Sequence, residues 1–419
     1  MKIIAFSDTF PKSGEYSVHA GEVFPIHSPM ISDGFLNVSD TTVVSVTKKA
    51  AFETVFSYPG AILVPRFVNA HTHLEASELR EPLPNGGMLT DWIKGLMAFR
   101  NSDRYHPQQA LGIGSRELRE SGTAAVGDIV LRPFFFGEND SLVQNVEETL
   151  HAFDSEMAGR LFLELIAWES RTSQELLVKA EAFLRCFYEN SEKIPSRFSA
   201  GLSPHAPYTV CPQLLEGAVA LSKKFTVPLA MHLAETEAER QFLQNHDGPF
   251  AEMLERLNGY QSEQVLSGKC PLDYLAALAE SEHAVVIHGN FLDDGEIRFL
   301  AGHRDRMTVV FCPVAHRFFG HRRYPLRQML DCGVRVALGT DSRASWQSAF
   351  SSNSGQEQGP LSMIEVVRVV QRDYPEVTRD ELLAMATWHG AAALMMEDRF
   401  GTLKPGNPAT FILLCLAPS

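Results

Sequence analysis

The feature that most constrains this chain is a repeated alternation. From about residue 62 onward, short apolar runs alternate with longer stretches of helical periodicity. Eight such runs can be read: Leu63–His73, Thr123–Ile129, Leu161–Trp168, Phe198–His205, Pro228–Glu235, Ala284–Asn290, Thr308–Pro313 and Arg335–Asp341. Helical candidates lie between or after them, among them 91–100, 143–153, 174–189, 212–223, 237–257, 271–280, 323–332 and 361–371. Strands alternating with helices build parallel β-α units. Eight units in about 330 residues predict an α/β chain folded as a (β/α)8 TIM-type barrel, a fold that gathers reactive residues at the C-terminal ends of its strands. Most of the eight runs carry a polar or reactive residue near that end.

The two ends of the chain read differently. Residues 1–66 are β-rich, with a Thr/Val-rich segment at Thr41–Val46, a turn at Asp33-Gly34 and a short apolar run at Ala61–Val64. The terminal Gly401–Gly406 turn leads into the strand-like Ala409–Leu414. A lone C-terminal strand needs a partner sheet. We therefore expect a small composite β domain from 1–66 and 400–419, with the barrel occupying 67–399. The Ser/Gly/Gln segment 351–359 is the best candidate for a mobile loop.

Composition narrows the partners. With 37 Lys+Arg against 51 Asp+Glu, the net charge is −14. That balance argues against a broad nucleic-acid-binding face, which needs clustered cations. No apolar run reaches the roughly 18 residues needed to cross a bilayer, and the N-terminus lacks the pattern of a secretory signal. Six scattered cysteines with no C-x-x-C pair read as reduced thiols. A cytoplasmic enzyme with a small-molecule substrate, no nucleic acid and no membrane is the expectation.

The chemistry lies at the run ends. His71 and His73 are i and i+2, so on a strand they face the same way and can grip one metal ion. His232 closes the fifth run and offers a third nitrogen. Glu235, just beyond it, is placed to shuttle protons, although a glutamate at a helix start is also favoured by the helix dipole alone. His288 closes the sixth run, and Asp341 closes the eighth as a carboxylate ligand or base. Three imidazoles and a carboxylate suit one divalent metal, Zn2+ first and Fe2+ as the alternative. Such a metal acidifies a water at an open position, so hydrolysis is the natural reaction class.

These motifs resemble the amidohydrolase superfamily, in particular its cytosine/guanine/adenosine-type deaminases and related chlorohydrolases. The resemblance rests on N-A-H-T-H at 69–73, S-P-H-A-P-Y at 203–208 and H-L-A-E at 232–235. H-G-N at 288–290, G-T-D-S at 339–342 and the terminal G-T-L-K-P-G complete it. It implies metal ligands at His71, His73, His232 and Asp341, a proton shuttle at Glu235, and a His288 that orients the attacking water or the leaving group. His205 becomes a substrate contact near the metal. Asp341 is assigned to catalysis with Glu235 and His288 as well as to the metal. The run ending at His205 has no lysine of the kind binuclear members carboxylate, which favours a single metal. Arg66 stands where the family usually has glycine, and the chain after Phe411 is short.

The stretch Phe311–His321 narrows the resemblance to deaminases similar to those of 6-aminodeoxyfutalosine in the alternative menaquinone route, with Ala315 in place of a serine. A futalosine-type substrate carries a benzoate, which an arginine would hold bidentately. Arg100, Arg317 and Arg343 are the candidates, each with a solvated surface role as the alternative. Cys312 and His316 either shape the pocket or are ordinary core residues. Trp92 is grouped with the substrate contacts, with core packing as its competing role. The function expected is hydrolytic deamination of an adenine-containing nucleoside. The alternatives are guanine, S-adenosylhomocysteine or methylthioadenosine deamination, a chlorohydrolase on the same site, and an inactive binding barrel. The resemblance is also compatible with a homodimer.

Overall fold

The computed structural model describes residues 2–84, 87–131, 135–136, 141–190, 192–256, 269–347 and 359–415. Of the expected loop 351–359, all but Gly359 lies outside them. Five strands open the chain: β1 (Lys2–Phe6), β2 (Glu15–Val23), β3 (Ile31–Ser39), β4 (Thr42–Thr47) and β5 (Val55–Pro65). Nine follow in a second sheet: β6 (Phe67–His73), β7 (Thr123–Val130), β8 (Ala158–Leu165), β9 (Phe198–Pro204), β10 (Pro228–Leu233), β11 (His283–His288), β12 (Met307–Phe311), β13 (Val336–Leu338) and β14 (Asp341–Ser342). The last strand, β15 (Phe411–Cys415), returns to the first sheet, whose order is β1-β15-β5-β2-β3-β4. There β15 runs antiparallel to both β1 and β5, so the C-terminal strand is built into the middle of the N-terminal sheet.

Every pairing in the second sheet is parallel, and its order runs β13-β12-β11-β10-β9-β8-β7-β6-β14. The two outermost strands, β13 and β14, are separated in the chain by Gly339 and Thr340 alone. They are two halves of one strand, so the sheet closes on itself as a barrel. The break lets the first half pair with β12 and the second with β6. Asn69 locks the seam. Its amide donates to Thr340 Oγ1 at 2.8 Å, and its Oδ1 accepts from the Thr340 backbone N–H at 3.1 Å. Gly339 sits so close to the His71 carbonyl (2.9 Å from an ideal Cβ) and Cys312 Sγ (3.0 Å) that a side chain would force the seam apart.

Three of the differences between sequence and structure bear on this frame. The first run, Leu63–His73, is two strands in different sheets, divided at Arg66. That guanidinium is buried and bonds Asp8 at 2.9 Å and the Thr123 carbonyl at 2.9 Å, tying the β sheet to the barrel floor. The helix expected over 237–257 is two helices, Glu237–Asn245 and Pro249–Arg256, because His246 and Gly248 both take left-handed backbone. A helix not expected, Pro107–Glu120, begins with proline at its first turn, where the missing N–H costs nothing.

The barrel interior is small and apolar at its floor, with Val68, Ala70, Phe162, Ala230, Val310 and Ala337 packed on Leu394. Arg160 reaches into this floor and donates to the carbonyls of Leu394, Met395 and Ala200. With the floor closed, the candidate reactive side chains gather at the opposite rim. Among the described residues no helix is long and apolar enough to cross a membrane.

Two stability effects follow. Asn69→Ala removes two buried hydrogen bonds and leaves Thr340 its longer ones, among them those from its N–H to the His71 carbonyl (3.2 Å) and between its Oγ1 and Thr72 Oγ1 (3.2 Å). We expect a loss of about 1–3 kcal/mol in urea unfolding, where an effect under about 0.5 kcal/mol would mean the seam does not depend on Asn69. Four histidines outside the rim cluster are also held neutral by burial: His283 at about 3, and His316, His321 and His389 at about 4. In the unfolded chain they take up protons near 6.5, so between there and about 4 the unfolded state binds more protons. Unfolding free energy should therefore fall as the pH is lowered through that window. A urea midpoint that is flat or rises on acidification would contradict this.

Candidate active site

Imidazoles from three strands and carboxylates from the strand ends converge at the rim. On β6, Val68 and Ala70 face the barrel interior, yet His71 and His73, which have opposite parity, face the site. A bulge between Asn69 and Thr72, where three steps on β6 match two on β7, accounts for the change. His232 comes from β10, His288 from the end of β11 and Asp341 from the start of β14. His73 Nε2 lies 3.3 Å from His232 Nε2, and Asp341 Oδ1 lies 3.4 Å from His71 Nε2 and 3.8 Å from His73 Nε2. Two sets of donor atoms fall within 4.8 Å of one another: His71, His73 and Asp341, and His71, His232 and His288.

The chemistry of these donors fits a divalent cation. Neither nitrogen of the buried His71 has a hydrogen-bond partner among the described residues, and His73 Nδ1 has none either. His232 Nδ1 lies 3.1 Å from the His205 carbonyl, so Nδ1 carries the hydrogen and the Nε2 lone pair points into the cluster. Burial and the neighbouring imidazoles hold His232 and His73 well below the usual histidine range, so both are neutral and able to ligate. Burial pushes the Asp341 carboxyl up, but the surrounding His71, His288 and His73 more than offset it and keep it ionised. Its Oδ2 accepts from Ser345 Oγ at 3.0 Å, which leaves Oδ1 turned to the histidines. Ser345 was invisible to motif reading, and its nearness to the G-T-D-S motif is the one signal that points to it.

Glu235 sits on the other side of the cluster, 3.5 Å from His288 Nε2. Burial raises its carboxyl well above the usual range, and the charges of Asp341 and Glu239 push the same way. The turn that aims it is held by Glu239, whose carboxylate accepts from the backbone N–H groups of Ala234 (2.8 Å) and Glu235 (2.8 Å). Asn290 donates to the Glu235 carbonyl at 3.1 Å, and Tyr324 donates to the His288 carbonyl at 2.9 Å. Ala234, His288 and Asp341 all have positive φ (53°, 68° and 58°). Left-handed backbone at a non-glycine residue is costly and clusters at functional sites, and here it turns each strand sharply out of the barrel just where a reactive group is needed. Cys312 is buried with its thiol pushed up by burial, which makes it an inert packing residue and not a nucleophile.

A cavity of about 300 Å³ opens above the cluster. The helix Leu89–Arg100 forms one wall with Leu89, Trp92, Ile93, Leu96, Met97 and Arg100, positions that share one face of a helix. His205 also lines the cavity, its Nδ1 2.8 Å from Thr209 Oγ1. Trp92 lines it while donating from Nε1 to the Ala344 carbonyl at 3.0 Å. The other expected contacts do not reach the cavity. Arg317 is exposed on the helix Pro313–Phe318 and pairs with Asp373 at 2.7 Å. Arg343 is buried but points away, to Glu117 at 2.6 Å and the Leu79 carbonyl at 3.1 Å. His316 packs on Phe311 and Tyr324, outside the lining. Two lining carboxylates, Glu75 and Glu164, were not among the expected contacts, although Glu75 follows directly on the H-T-H motif.

A closed barrel whose rim holds four imidazoles, an ionised aspartate and a buried glutamate under a closed-floor cavity defines a metal-dependent hydrolase of the barrel type. The sequence profile of the Amidohydrolase family matches residues 62–418, and the chain belongs to that family as a hydrolytic aminohydrolase. The chain is 27% identical over 389 residues to the 5-methylthioadenosine/S-adenosylhomocysteine deaminase of Pyrococcus furiosus, covering 90% of this chain and 81% of that one. Among solved structures, Helicobacter pylori aminofutalosine deaminase in complex with methylthio-coformycin superposes with a TM-score of 0.77 at 20% identity, over 96% of this chain and 93% of that one. An adenosine deaminase from Xanthomonas campestris with bound zinc superposes with a TM-score of 0.69 at 22% identity, over 97% and 86%. At such identities the two structures speak for the fold.

Ser345→Ala should weaken metal retention by roughly 10- to 100-fold without unfolding the protein, because it frees the carboxylate that faces the histidines. Competition with a metal chelator reads this directly. An unchanged midpoint would remove Ser345 from the support of the site.

Proposed function

We propose that the protein is a hydrolytic deaminase of an adenine-containing nucleoside, working with one divalent metal, zinc in the first instance, held by His71, His73, His232 and Asp341. The observation that carries this reading is the pairing of that donor set with a buried carboxyl, Glu235, on the cavity side of it. The similarity to a methylthioadenosine/S-adenosylhomocysteine deaminase over most of both chains supports the adenine class. When bound, the cation supplies Lewis acidity and lowers the pKa of water, as such sites do generally.

The protein's own groups account for the proton traffic. Water adds at C6 of the purine, and the 6-amino group leaves as ammonia. Glu235 faces the cavity and takes the proton released by the water. It then delivers that proton to N1 of the ring, as a carboxyl with a raised pKa can do near neutrality. His288, 3.5 Å from Glu235, is neutral, held down to about 3 by burial and its neighbours. It orients the attacking oxygen, and Asp341 takes the remaining proton of that oxygen as the C6 carbonyl forms and passes it to the 6-amino group, so that the C–N bond breaks with ammonia as the leaving group. The closed floor and the apolar face of Leu89–Arg100 keep bulk water from the ring.

The tests separate binding from chemistry. Glu235→Gln should retain the metal and lose at least about a thousandfold in kcat, whereas full activity would mean another group moves the proton. Ammonia release should be measured with adenosine, 5′-methylthioadenosine, S-adenosylhomocysteine, aminodeoxyfutalosine and guanine. Turnover of one or more adenine compounds and not of guanine is expected. No turnover of any adenine compound would overturn the substrate class.

A further inference from the structure

The cavity contains a buried carboxylate that neither the metal cluster nor the proton traffic uses. Glu164 is the penultimate residue of β8, is only 7% exposed and lines the cavity. No hydrogen bond or ion pair reaches its side chain among the described residues. β8 lies next to β9, which ends just before His205, and β9 lies next to β10, which carries His232. Glu164 is therefore two strands around the rim from the cluster, where the part of a substrate remote from the reacting ring would lie.

The charges around it are already balanced without it. Arg100 is the one cation in the lining among the described residues. It donates to Glu75 Oε1 from both Nε (3.2 Å) and Nη2 (2.7 Å), and Glu164 also lies close enough to stabilise its charge. Glu75 and Glu164 share that one guanidinium, which leaves one carboxylate charge in excess in a largely apolar chamber. A substrate carboxylate entering there would meet a like charge. To gain Arg100 it would have to compete with Glu75 and Glu164 for the one guanidinium and sit close to both of their carboxylates, which is costly. A hydroxyl, by contrast, donates to a carboxylate and satisfies it, which repays the cost of keeping Glu164 dry.

Resting on the deaminase reading above, we propose that Glu164 sets the charge selectivity of the cavity: it accepts hydrogen bonds from the sugar hydroxyls of an uncharged nucleoside, and the enzyme acts on neutral adenine nucleosides in preference to those bearing a carboxylate. This reverses the expectation of a benzoate held at Arg100, Arg317 or Arg343. Arg100 is paired with Glu75 beside Glu164, and the other two do not reach the cavity.

The test compares kcat/KM for 5′-methylthioadenosine with that for adenosine 5′-carboxylate and aminodeoxyfutalosine, in the wild type and in Glu164→Gln. The wild type should favour the neutral nucleoside by roughly 10- to 100-fold, the range of a hydrogen bond to a charged group. Glu164→Gln should shrink that preference through KM, with kcat and metal content held. Removing the 2′ and 3′ hydroxyls should cost the wild type a similar factor and the variant little, the non-additivity expected of a direct contact. A wild type that favours the carboxylate compounds, or a preference unchanged in the variant, would overturn the proposal. If no adenine compound is turned over, the deaminase reading fails on its own. Calorimetric binding of the same neutral and anionic nucleosides to the metal-loaded wild type then decides the selectivity separately, as it does if the variant does not fold.

Discussion

Lone pairs that face each other in a buried site need something positive between them. His73 Nε2 and His232 Nε2 are 3.3 Å apart, His71 has two unpartnered nitrogens, and an ionised Asp341 stands 3.4 Å from His71. Left alone, that arrangement costs the fold several unsatisfied polar groups. A divalent cation would take one nitrogen from each ligating ring and an oxygen of Asp341, and much of the remaining structure can be understood as holding those donors in place.

The closure of the barrel is part of that holding. The eighth strand breaks at Gly339-Thr340 so that Asp341 can leave β13, pair beside β6 and meet His71 and His73. Asn69, two residues before His71, fastens the same break. The bulge on β6 and the left-handed residues Ala234, His288 and Asp341 store local strain at the rim, and the regular apolar floor below them compensates. Stability is concentrated at one end of the barrel and reactivity at the other.

The parts of this that could be read in the sequence are those governed by local periodicity. Each of the eight runs overlaps a barrel strand, the first together with the end of β5, because alternating β and α segments leave little choice of topology, and the histidine spacing at 71 and 73 survives any detail of strand pairing. What could not be read depends on which groups meet across the barrel. The three arginines looked equivalent in the sequence. Packing pairs one with Glu75, one with Asp373 and one with Glu117, and of the three only Arg100 lines the cavity. Glu164 carries no motif at all, and its place in the cavity beside Arg100 and His205 is visible only in the folded chain. Ser345 and Glu239 likewise act through contacts set by turns whose geometry is not written in periodicity.

The central claim is that a single divalent cation at the rim cluster is required for hydrolytic deamination. The most direct measurement strips the protein of metal and follows ammonia release from 5′-methylthioadenosine as zinc is returned in sub-stoichiometric steps. The account predicts no activity in the stripped protein, then a linear rise that levels off at one equivalent. Activity that survives complete metal removal, or that needs a second equivalent, would contradict it.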